Sequence, residues 1–203
     1  MVGLYLGIPC LYGSGMQRYS SIRLTGPVLA VLALSACAGG NFRPVSDAPV
    51  RIGPAYTIRG TTYVPAAAPA YDAVGYASWY GSESGNRTAN GEQFRPKWIT
   101  AAHTTLPLPT YVEVTALDTG RRIIVRINDR GPFALGRIID LSRGAAEELG
   151  MKAQGHAPVR VRHVEPSEKD RKRLRKGKAA ARIDPMSTQE LQRLRARLSA
   201  KGQ

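Results

Sequence analysis

The sequence is poor in the residues that form disulfides and metal sites. Its 203 residues include two cysteines and three histidines, and their spacing is typical of neither a disulfide framework nor a zinc site. No apolar run is long enough to cross a bilayer as a helix, and no glycine-rich phosphate loop occurs. The sequence therefore predicts no metal and no cofactor.

The charge is positive but unevenly distributed. The net charge is +14 and the pI is about 10.3. Residues 75–165 contain 12 basic and 9 acidic residues, whereas residues 167–203 contain 12 and 4. The centre is therefore a near-neutral globular segment, and a basic extension follows it. Such a pI is typical of nucleic-acid-binding proteins, but the N-terminal sequence argues against that partner.

Residues 16–40 have the pattern of an export signal. Two arginines precede the apolar residues 24–34, a stretch too short for a membrane-spanning helix. The next four residues, "LSAC" (34–37), resemble the lipobox of bacterial lipoproteins, which implies that Cys37 is lipidated and becomes the mature N-terminus. An ordinary signal peptide with a chance cysteine is the alternative.

We predict that residues 1–36 are a signal peptide whose true start is Met16. Cys10 is then absent, and no cysteine is left for a disulfide. Ala38 follows the lipobox, where an aspartate would resemble an inner-membrane retention signal. The expected location is therefore the periplasmic side of the outer membrane, with the inner membrane as the alternative.

The rest of the chain divides by composition into three parts. Residues 37–74 are rich in Ala and Pro and predict a lipidated N-terminus followed by a disordered, solvated linker, with packing of Tyr56, Tyr63 and Tyr71 as the alternative. Residues 75–165 have a globular pattern. Residues 166–203 form a basic tail, in which a possible short helix begins at Ser187 with capping-box spacing. Anionic lipid and acidic wall polymer are the candidate partners of this tail.

The globular segment has the pattern of short strands with one helix. A hairpin signal joins 111–116 to 122–127. Ser142 can cap a helix over 143–149, with Gly150 just beyond its end. Many short strands in about ninety residues favour a small closed β-barrel. The five predicted strands are Tyr76–Tyr80, Tyr111–Ala116, Arg122–Ile127, Ile138–Asp140 and Val159–His163.

Four segments of the barrel region resemble a known family. They are "ASWYG" (77–81), "TANGEQF" (88–94), "TAAHTTLPLPTYVEV" (100–114) and "NDRGPFALGRIIDLSRGAAEELGM" (128–151). Their order and spacing are similar to the rare lipoprotein A family, bacterial septal lytic transglycosylases related to barwin and expansins. The resemblance implies a mainly β protein with a six-stranded double-psi β-barrel and one or two short helices. It also implies a periplasmic enzyme that cleaves peptide-stripped glycan strands of peptidoglycan to 1,6-anhydro-muramyl ends.

Breaking a glycosidic bond requires an acid that protonates the leaving oxygen. The resemblance places this role on Asp129, which follows a strand and precedes the Gly131-Pro132 break. A carboxyl with a raised pKa can serve as acid and then as base. The alternative is that Asp129 only bonds turn amides or Arg130. For Asp140, a structural role as helix cap or barrel brace is the favoured interpretation.

Two further residues correspond to groove positions of the family. Glu92 follows an Asn-Gly turn, and a carboxylate near Asp129 would raise the pKa of one of the pair. His103 could hydrogen-bond the carboxyl or a sugar hydroxyl. A solvated turn glutamate and a structural histidine are the alternatives.

The remaining candidates are substrate-binding residues. Arg130 is expected to pair with a carboxylate or with substrate, and Trp79 and Tyr80 are the aromatic residues preferred for stacking on sugar rings. Arg95 departs from the family pattern, because members commonly carry an aspartate three residues after the glutamate. This arginine could lower the pKa of Asp129 or Glu92, or bind a muramyl lactyl carboxylate.

Three interpretations therefore compete. The first is an endolytic transglycosylase, with Asp129 as acid/base supported by Glu92 and His103. The second is a glycan-binding or wall-loosening module without cleavage, similar to expansins and motivated by Arg95. The third is a structural tether between a lipid and the wall.

Overall fold

The structure of the protein is a computed structural model that describes residues 41–81 and 85–201. The predicted signal peptide and Cys37 lie outside the described residues. The described elements are β1 (Tyr56–Ile58), β2 (Thr61–Tyr63), β3 (Asp72–Tyr80), β4 (Thr100–Ala102), β5 (Thr110–Ala116), β6 (Arg122–Asp129), β7 (Arg137–Ser142), α1 (Arg143–Leu149), β8 (His156–His163), α2 (Glu168–Arg175) and α3 (Thr188–Lys201).

Six of the strands close into a barrel in the order β3-β7-β4-β6-β5-β8. The β3–β7 and β4–β6 pairs are parallel, and the other pairs are antiparallel. The predicted mainly β fold with a six-stranded double-psi β-barrel is confirmed. The predicted hairpin is present, with Thr115 of β5 opposite Arg122 of β6. Strand β4, which has only three residues, is absent from the sequence prediction.

The barrel interior is filled by β-branched side chains. These residues are fully buried, and each contributes about 1.5–3 kcal/mol relative to an exposed side chain. Closure leaves no free edge among the six strands, so the sheet does not offer a pairing surface. The buried valines and isoleucines are Val112, Val114, Val125, Ile127, Ile139, Val159 and Val161.

Helix α1 has the two ends that its sequence predicts. The Ser142 hydroxyl accepts a hydrogen bond from the Ala145 amide at 3.1 Å, which satisfies one of the free amides of the first turn. Gly150 ends the helix in the left-handed region, at φ 82. Gly144 is required for packing, because a Cβ there would lie 2.2 Å from the carbonyl oxygen of Lys97.

Residues 41–71 differ from the predicted disordered linker. The Arg43 amide donates to the Gly91 carbonyl at 2.7 Å, and Arg51 and Leu108 form an isolated bridge. Strands β1 and β2 form a hairpin, and β3 begins at Asp72, inside the predicted linker. The prolines do prevent helix, but an extended chain can still bond to the barrel surface.

The basic tail also packs on the barrel through buried leucines, which its charged composition does not indicate. Leu174 of α2 is fully buried, and Leu191 and Leu194 of α3 pack with Val74 and Leu117 of the barrel domain. The predicted start at Ser187 is consistent with its hydroxyl, which accepts from the Glu190 amide at 3.3 Å. Helix α2 is absent from the sequence prediction. Within the described part of the chain, no helix is long and apolar enough to cross a membrane.

Candidate active site

A groove of about 410 Å³ lies at the carboxyl ends of β3, β6 and β7. Strand β4 lies between β6 and β7, and its Ala102 is the register partner of both Asp129 and Asp140. Two carboxylates therefore flank one short strand, with Cα atoms about 10 Å apart if each strand spacing is near 4.8 Å. The lining residues are Arg59, Tyr80, Arg87, Ala102, Asp129, Arg130, Gly131, Pro132, Phe133, Ala134, Arg137 and Asp140.

Asp129 uses its two oxygens differently. The amides of Ala89 and Arg130 both donate to Oδ1, each at 2.8 Å. Oδ2 accepts no hydrogen bond from the described residues and is the oxygen available to carry a proton. Burial raises the pKa of Asp129 above its ordinary value, although the two amides and the Arg130 charge act in the opposite direction. The result is a partly desolvated carboxyl at the wall of a groove.

Asp140 is the second carboxylate of the groove. The Ser78 hydroxyl donates to Oδ1 at 2.6 Å, and the Arg137 guanidinium donates to Oδ2 at 3.3 Å. Burial raises its pKa, while these two partners oppose the shift. Ser142 caps α1, so the expectation of Asp140 as helix cap is wrong. The bond to Ser78 on the neighbouring strand does brace the barrel, and the same side chain also lines the groove.

Tyr80 lines the groove next to both carboxylates. Its ring stacks on Phe94, with centroids 4.8 Å apart, and its hydroxyl is buried without a hydrogen-bond partner among the described residues. Burial, followed by the charges of Asp129 and Asp140, raises the pKa of this hydroxyl well above its usual value. Tyr80 is therefore a neutral donor, and the face of its ring on Phe94 is occupied.

Glu92 lies inside the protein and does not line the groove. Its side chain is 1 % exposed and forms an ion pair with the equally buried Arg126, with N–O distances of 2.7 and 2.8 Å. The amides of Asn90 and Asn128 each donate a further hydrogen bond at 3.0 Å. These two asparagines are the chain neighbours of Ala89 and Asp129. Glu92 therefore contacts the frame that orients Asp129 rather than the groove itself.

His103 is also enclosed. Its Nδ1 accepts from the amides of Thr105 and Leu106, both at 3.1 Å, which leaves the proton on Nε2 to bond the Tyr71 hydroxyl at 2.9 Å. Burial and then the Arg130 charge lower the pKa of His103 to about 4. Both ring nitrogens are occupied, so the ring reaches neither the Asp129 carboxyl nor a sugar. Its contact with Asp129 is through the backbone, at 3.1 Å.

Arg130 is directed toward backbone carbonyls. It donates to the carbonyls of His103 at 3.2 Å, Leu106 at 2.6 Å and Ile52 at 3.0 Å. The expected pairing with a carboxylate is not found in the described residues. Arg130 instead holds residues 41–71 against the loop that follows β4, and it also lines the groove.

The structure does not bring Trp79 and Arg95 to the groove. The Trp79 indole donates to the Lys152 carbonyl at 3.2 Å and packs against the core. Arg95 lies over the Trp98 ring at 4.4 Å and donates to Gln93 at 3.2 Å. Arg95 does not contribute to the pKa shift of Asp129. The presence of Arg95, which motivated the interpretation as a non-cleaving module, therefore does not affect the groove.

Sequence reasoning missed Asp140 as a groove residue, and it missed Arg59 and Arg87 entirely. Asp140 reaches the groove because β7 pairs with both β3 and β4, and no local pattern predicts that pairing. Arg59 comes from a segment whose composition indicates a linker. In the described residues, no group of three or more His, Cys, Asp or Glu side chains could hold a metal.

The closed barrel of parallel and antiparallel strands, with a groove at one end, places this domain in the class of double-psi β-barrels. Residues 72–161 match the protein family described as lytic transglycolase. The barrel is a domain of this kind, and the resemblance to rare lipoprotein A predicted from the motifs is confirmed.

Three curated relatives carry the name endolytic peptidoglycan transglycosylase RlpA. The Pseudomonas aeruginosa (strain UCBPP-PA14) protein is 54 % identical over 55 % of this chain and 33 % of its own length. The Rickettsia bellii protein is 46 % identical over 56 % and 52 %, and the Campylobacter jejuni protein is 40 % identical over 70 % and 58 %. The chain thus spans between about a third and three fifths of these relatives.

Among solved structures, an expansin from Clavibacter michiganensis is similar at 20 % identity and a TM-score of 0.37, over 48 % of this chain and 52 % of that one.

Proposed function

We propose that this chain is an endolytic peptidoglycan transglycosylase that cleaves peptide-stripped glycan strands. One observation carries the proposal: Asp129 lines the groove with a raised pKa and with Oδ2 free of protein partners. A carboxylic acid in that state can give a proton to a glycosidic oxygen. The name shared by the curated relatives supports the same reaction.

The reaction can be written with Asp129 as the only proton carrier. The proton on Oδ2 passes to the glycosidic oxygen while the bond from that oxygen to the muramyl C1 breaks. The C6 hydroxyl of the same muramyl residue then attacks C1, and its proton returns to Asp129. No water is consumed, and the products are a new 4-hydroxyl end and a 1,6-anhydro end.

Two groove residues support the charge that develops. Asp140 is held by Ser78 and Arg137, and a carboxylate in this position stabilises an oxocarbenium-like sugar electrostatically. Tyr80 keeps its proton between the two carboxylates. Glu92 and His103 act as positioning residues, because their polar atoms are occupied inside the protein.

The test is product analysis with residues 39–203, which form one compact unit. The protein is mixed with peptide-free glycan strands, and the fragments are read by mass spectrometry beside an Asp129→Asn control. Anhydro-ended fragments from the wild type alone would support the proposal. Reducing ends would make the protein a hydrolase with the same acid. Intact strands, bound but uncut, would overturn the proposal in favour of the non-cleaving module.

We also propose that the protein is a lipoprotein, modified at Cys37 and facing the periplasm from the outer membrane. The sequence pattern at residues 34–37 supports this location. Radioactive palmitate should label the full chain and not the Cys37→Ala variant, and membrane fractionation would separate outer from inner membrane.

The basic tail is proposed to contact anionic lipid or acidic wall polymer. Within residues 167–203, twelve basic residues outnumber four acidic ones, and such an excess attracts anionic surfaces. Binding to vesicles with phosphatidylglycerol and to peptide-free glycan, with and without substitution of Lys172 and Lys176 by glutamine, separates the two partners. Unchanged binding in both would show that the tail is incidental.

A further inference from the structure

Hairpin β1–β2 lies outside the matched residues 72–161 and still forms part of the groove. Its register pairs Tyr56 with Tyr63 and Ile58 with Thr61, so Arg59 and Gly60 are the two turn residues. The hairpin is fixed at its base, because the Tyr56 hydroxyl donates to the Thr104 carbonyl at 2.7 Å. Both tyrosine rings contact Phe133 of the groove, with centroids 6.2 and 5.7 Å away.

Arg59 occupies a backbone position that does not favour arginine. Its φ is 50 and that of Gly60 is 81, which is the type I′ pattern with two positive φ values. Asn-Gly is the preferred sequence there, because a longer side chain is disfavoured in the left-handed region. A strained residue held by its surroundings points to a function at that position.

The function is suggested by the charges of the groove. Arginine residues outnumber aspartates among the lining residues by four to two. Arg137 is paired with Asp140, and Arg130 is used by backbone carbonyls. The guanidinium groups of Arg59 and Arg87 have no carboxylate partner in the described part of the chain. An uncharged polysaccharide would not pair with them, whereas a carboxylate-bearing one would.

We propose that Arg59 binds a carboxylate of the glycan, and that hairpin β1–β2 is a specificity-determining part of the groove. The inference rests on the proposed function, and it names the lactyl carboxylate of a muramyl residue without peptide. When a peptide is attached, that carboxylate becomes a neutral amide and the ion pair is lost. From the sequence alone, Arg95 is a candidate for binding this lactyl carboxylate. Because Arg95 lies away from the groove, we assign that role to Arg59.

The test compares two substrates that differ only in this group. One is peptide-free glycan, and the other is the same glycan with its lactyl carboxylates converted to methylamides. We expect wild-type kcat/KM to favour the free carboxylate roughly two- to fivefold, since Arg59 is exposed and solvent screens an exposed ion pair. Arg59→Asn should bring the ratio toward one, and Arg59→Lys should keep part of it, because lysine retains the charge without the planar fork.

The Arg59→Asn variant is matched to the fold. Asparagine suits the turn better than arginine, so the thermal midpoint should not fall. Arg95→Asn is the control for loss of an arginine outside the groove, and its ratio should equal that of the wild type. A wild-type ratio in Arg59→Asn would overturn the inference and leave the proposed function intact.

If the wild type cleaves neither substrate, the proposed function fails. The affinities of the two glycans, measured by titration calorimetry on the same three variants, then decide the role of Arg59. A carboxylate preference in binding that depends on Arg59 would support the inference, and equal affinities in the wild type would overturn it.

Discussion

Asp129 and Glu92 are both acidic residues of the motifs that indicated the family, but the structure uses their carboxyl groups in opposite ways. Glu92 accepts four hydrogen bonds from three side chains and pairs with Arg126, with both side chains 1 % exposed. Asp129 accepts two backbone bonds on one oxygen and leaves the other free. Every lone pair of the Glu92 carboxylate is occupied by a partner inside the protein, whereas the half-bonded, desolvated carboxyl of Asp129 has an oxygen that can exchange a proton with a ligand.

The two carboxyl groups do not contact each other, and Glu92 acts on Asp129 through the backbone of neighbouring residues. Glu92 fixes Asn90 and Asn128, and their chain neighbours Ala89 and Asp129 form the bond at the groove. A buried ion pair thus orients a carboxyl that lines the groove. The following predictions separate the two functions.

Replacing Asp129 with asparagine should abolish most cleavage and preserve the fold. We expect cleavage to fall by about 10²- to 10⁴-fold, the usual contribution of a general acid. Because burial disfavours the charged form of Asp129, a neutral amide should not lower the thermal midpoint. Cleavage assays, glycan binding and thermal unfolding measure the three effects. Asp118→Asn, in the exposed β5–β6 turn, is the control, and cleavage that survives Asp129→Asn would remove this residue from the mechanism.

Replacing Glu92 with glutamine should lower the stability of the fold, which Asp129→Asn should leave unchanged. Removing one partner of a buried ion pair leaves an uncompensated charge on Arg126, which typically costs about 3–5 kcal/mol. Urea denaturation should show this loss, and cleavage should fall as well because Asp129 is no longer held. The exposed Glu148→Gln should change stability by no more than about 0.5 kcal/mol. A Glu92→Gln protein with wild-type stability and no activity would instead indicate direct chemistry at Glu92.

His103 should make the fold sensitive to moderate acid. Its pKa is about 4 in the folded protein and 6.5 in the unfolded chain, so between these values the unfolded state binds more protons. The stabilisation is therefore complete above pH 6.5 and is lost as the pH falls toward 4, by roughly 3 kcal/mol. Urea denaturation from pH 7 to pH 4 measures the slope. His103→Asn should flatten it, and an equal slope in that variant would assign the effect to other groups.

The smallest effect is expected at Arg95. Arg95→Asp restores the residue that resembles the family pattern, but the side chain lies over Trp98, away from the groove. We expect cleavage within about twofold of the wild type and a loss of about 0.5–1 kcal/mol from the exposed cation–π contact. A large gain in cleavage would show that this position acts on the groove after all.

The elements that sequence could predict are those whose signals are local. The hairpin turn, the Ser142 cap and the Gly150 end each depend on residues within one turn of chain, and the structure has all three. Strand β4 was missed because three residues contain no period. Residues 41–71 were missed because their partners, such as Leu108 for Arg51, are far along the chain.

The sequence identified several residues of the site but not the contacts that their side chains make. The motifs indicated Asp129, Glu92 and His103, but the partners that distinguish them lie 20 to 40 residues away. Arg126 for Glu92 and Tyr71 for His103 are examples. Asp140 required knowledge of which strands are neighbours. A sequence pattern can select residue types for a groove, but whether an oxygen is free depends on the closed barrel.

The attachment of Arg43 to the barrel limits how far the groove can lie from Cys37. Arg43 is bonded to Asn90 and Gly91, so only five residues lie between Cys37 and a fixed point on the domain. Even fully extended, the six Cα–Cα steps from Cys37 to Arg43 span about 20 Å. A protein lipidated at Cys37 therefore keeps its groove close to the bilayer, and the strands within its range are those on the side of the wall that faces that membrane.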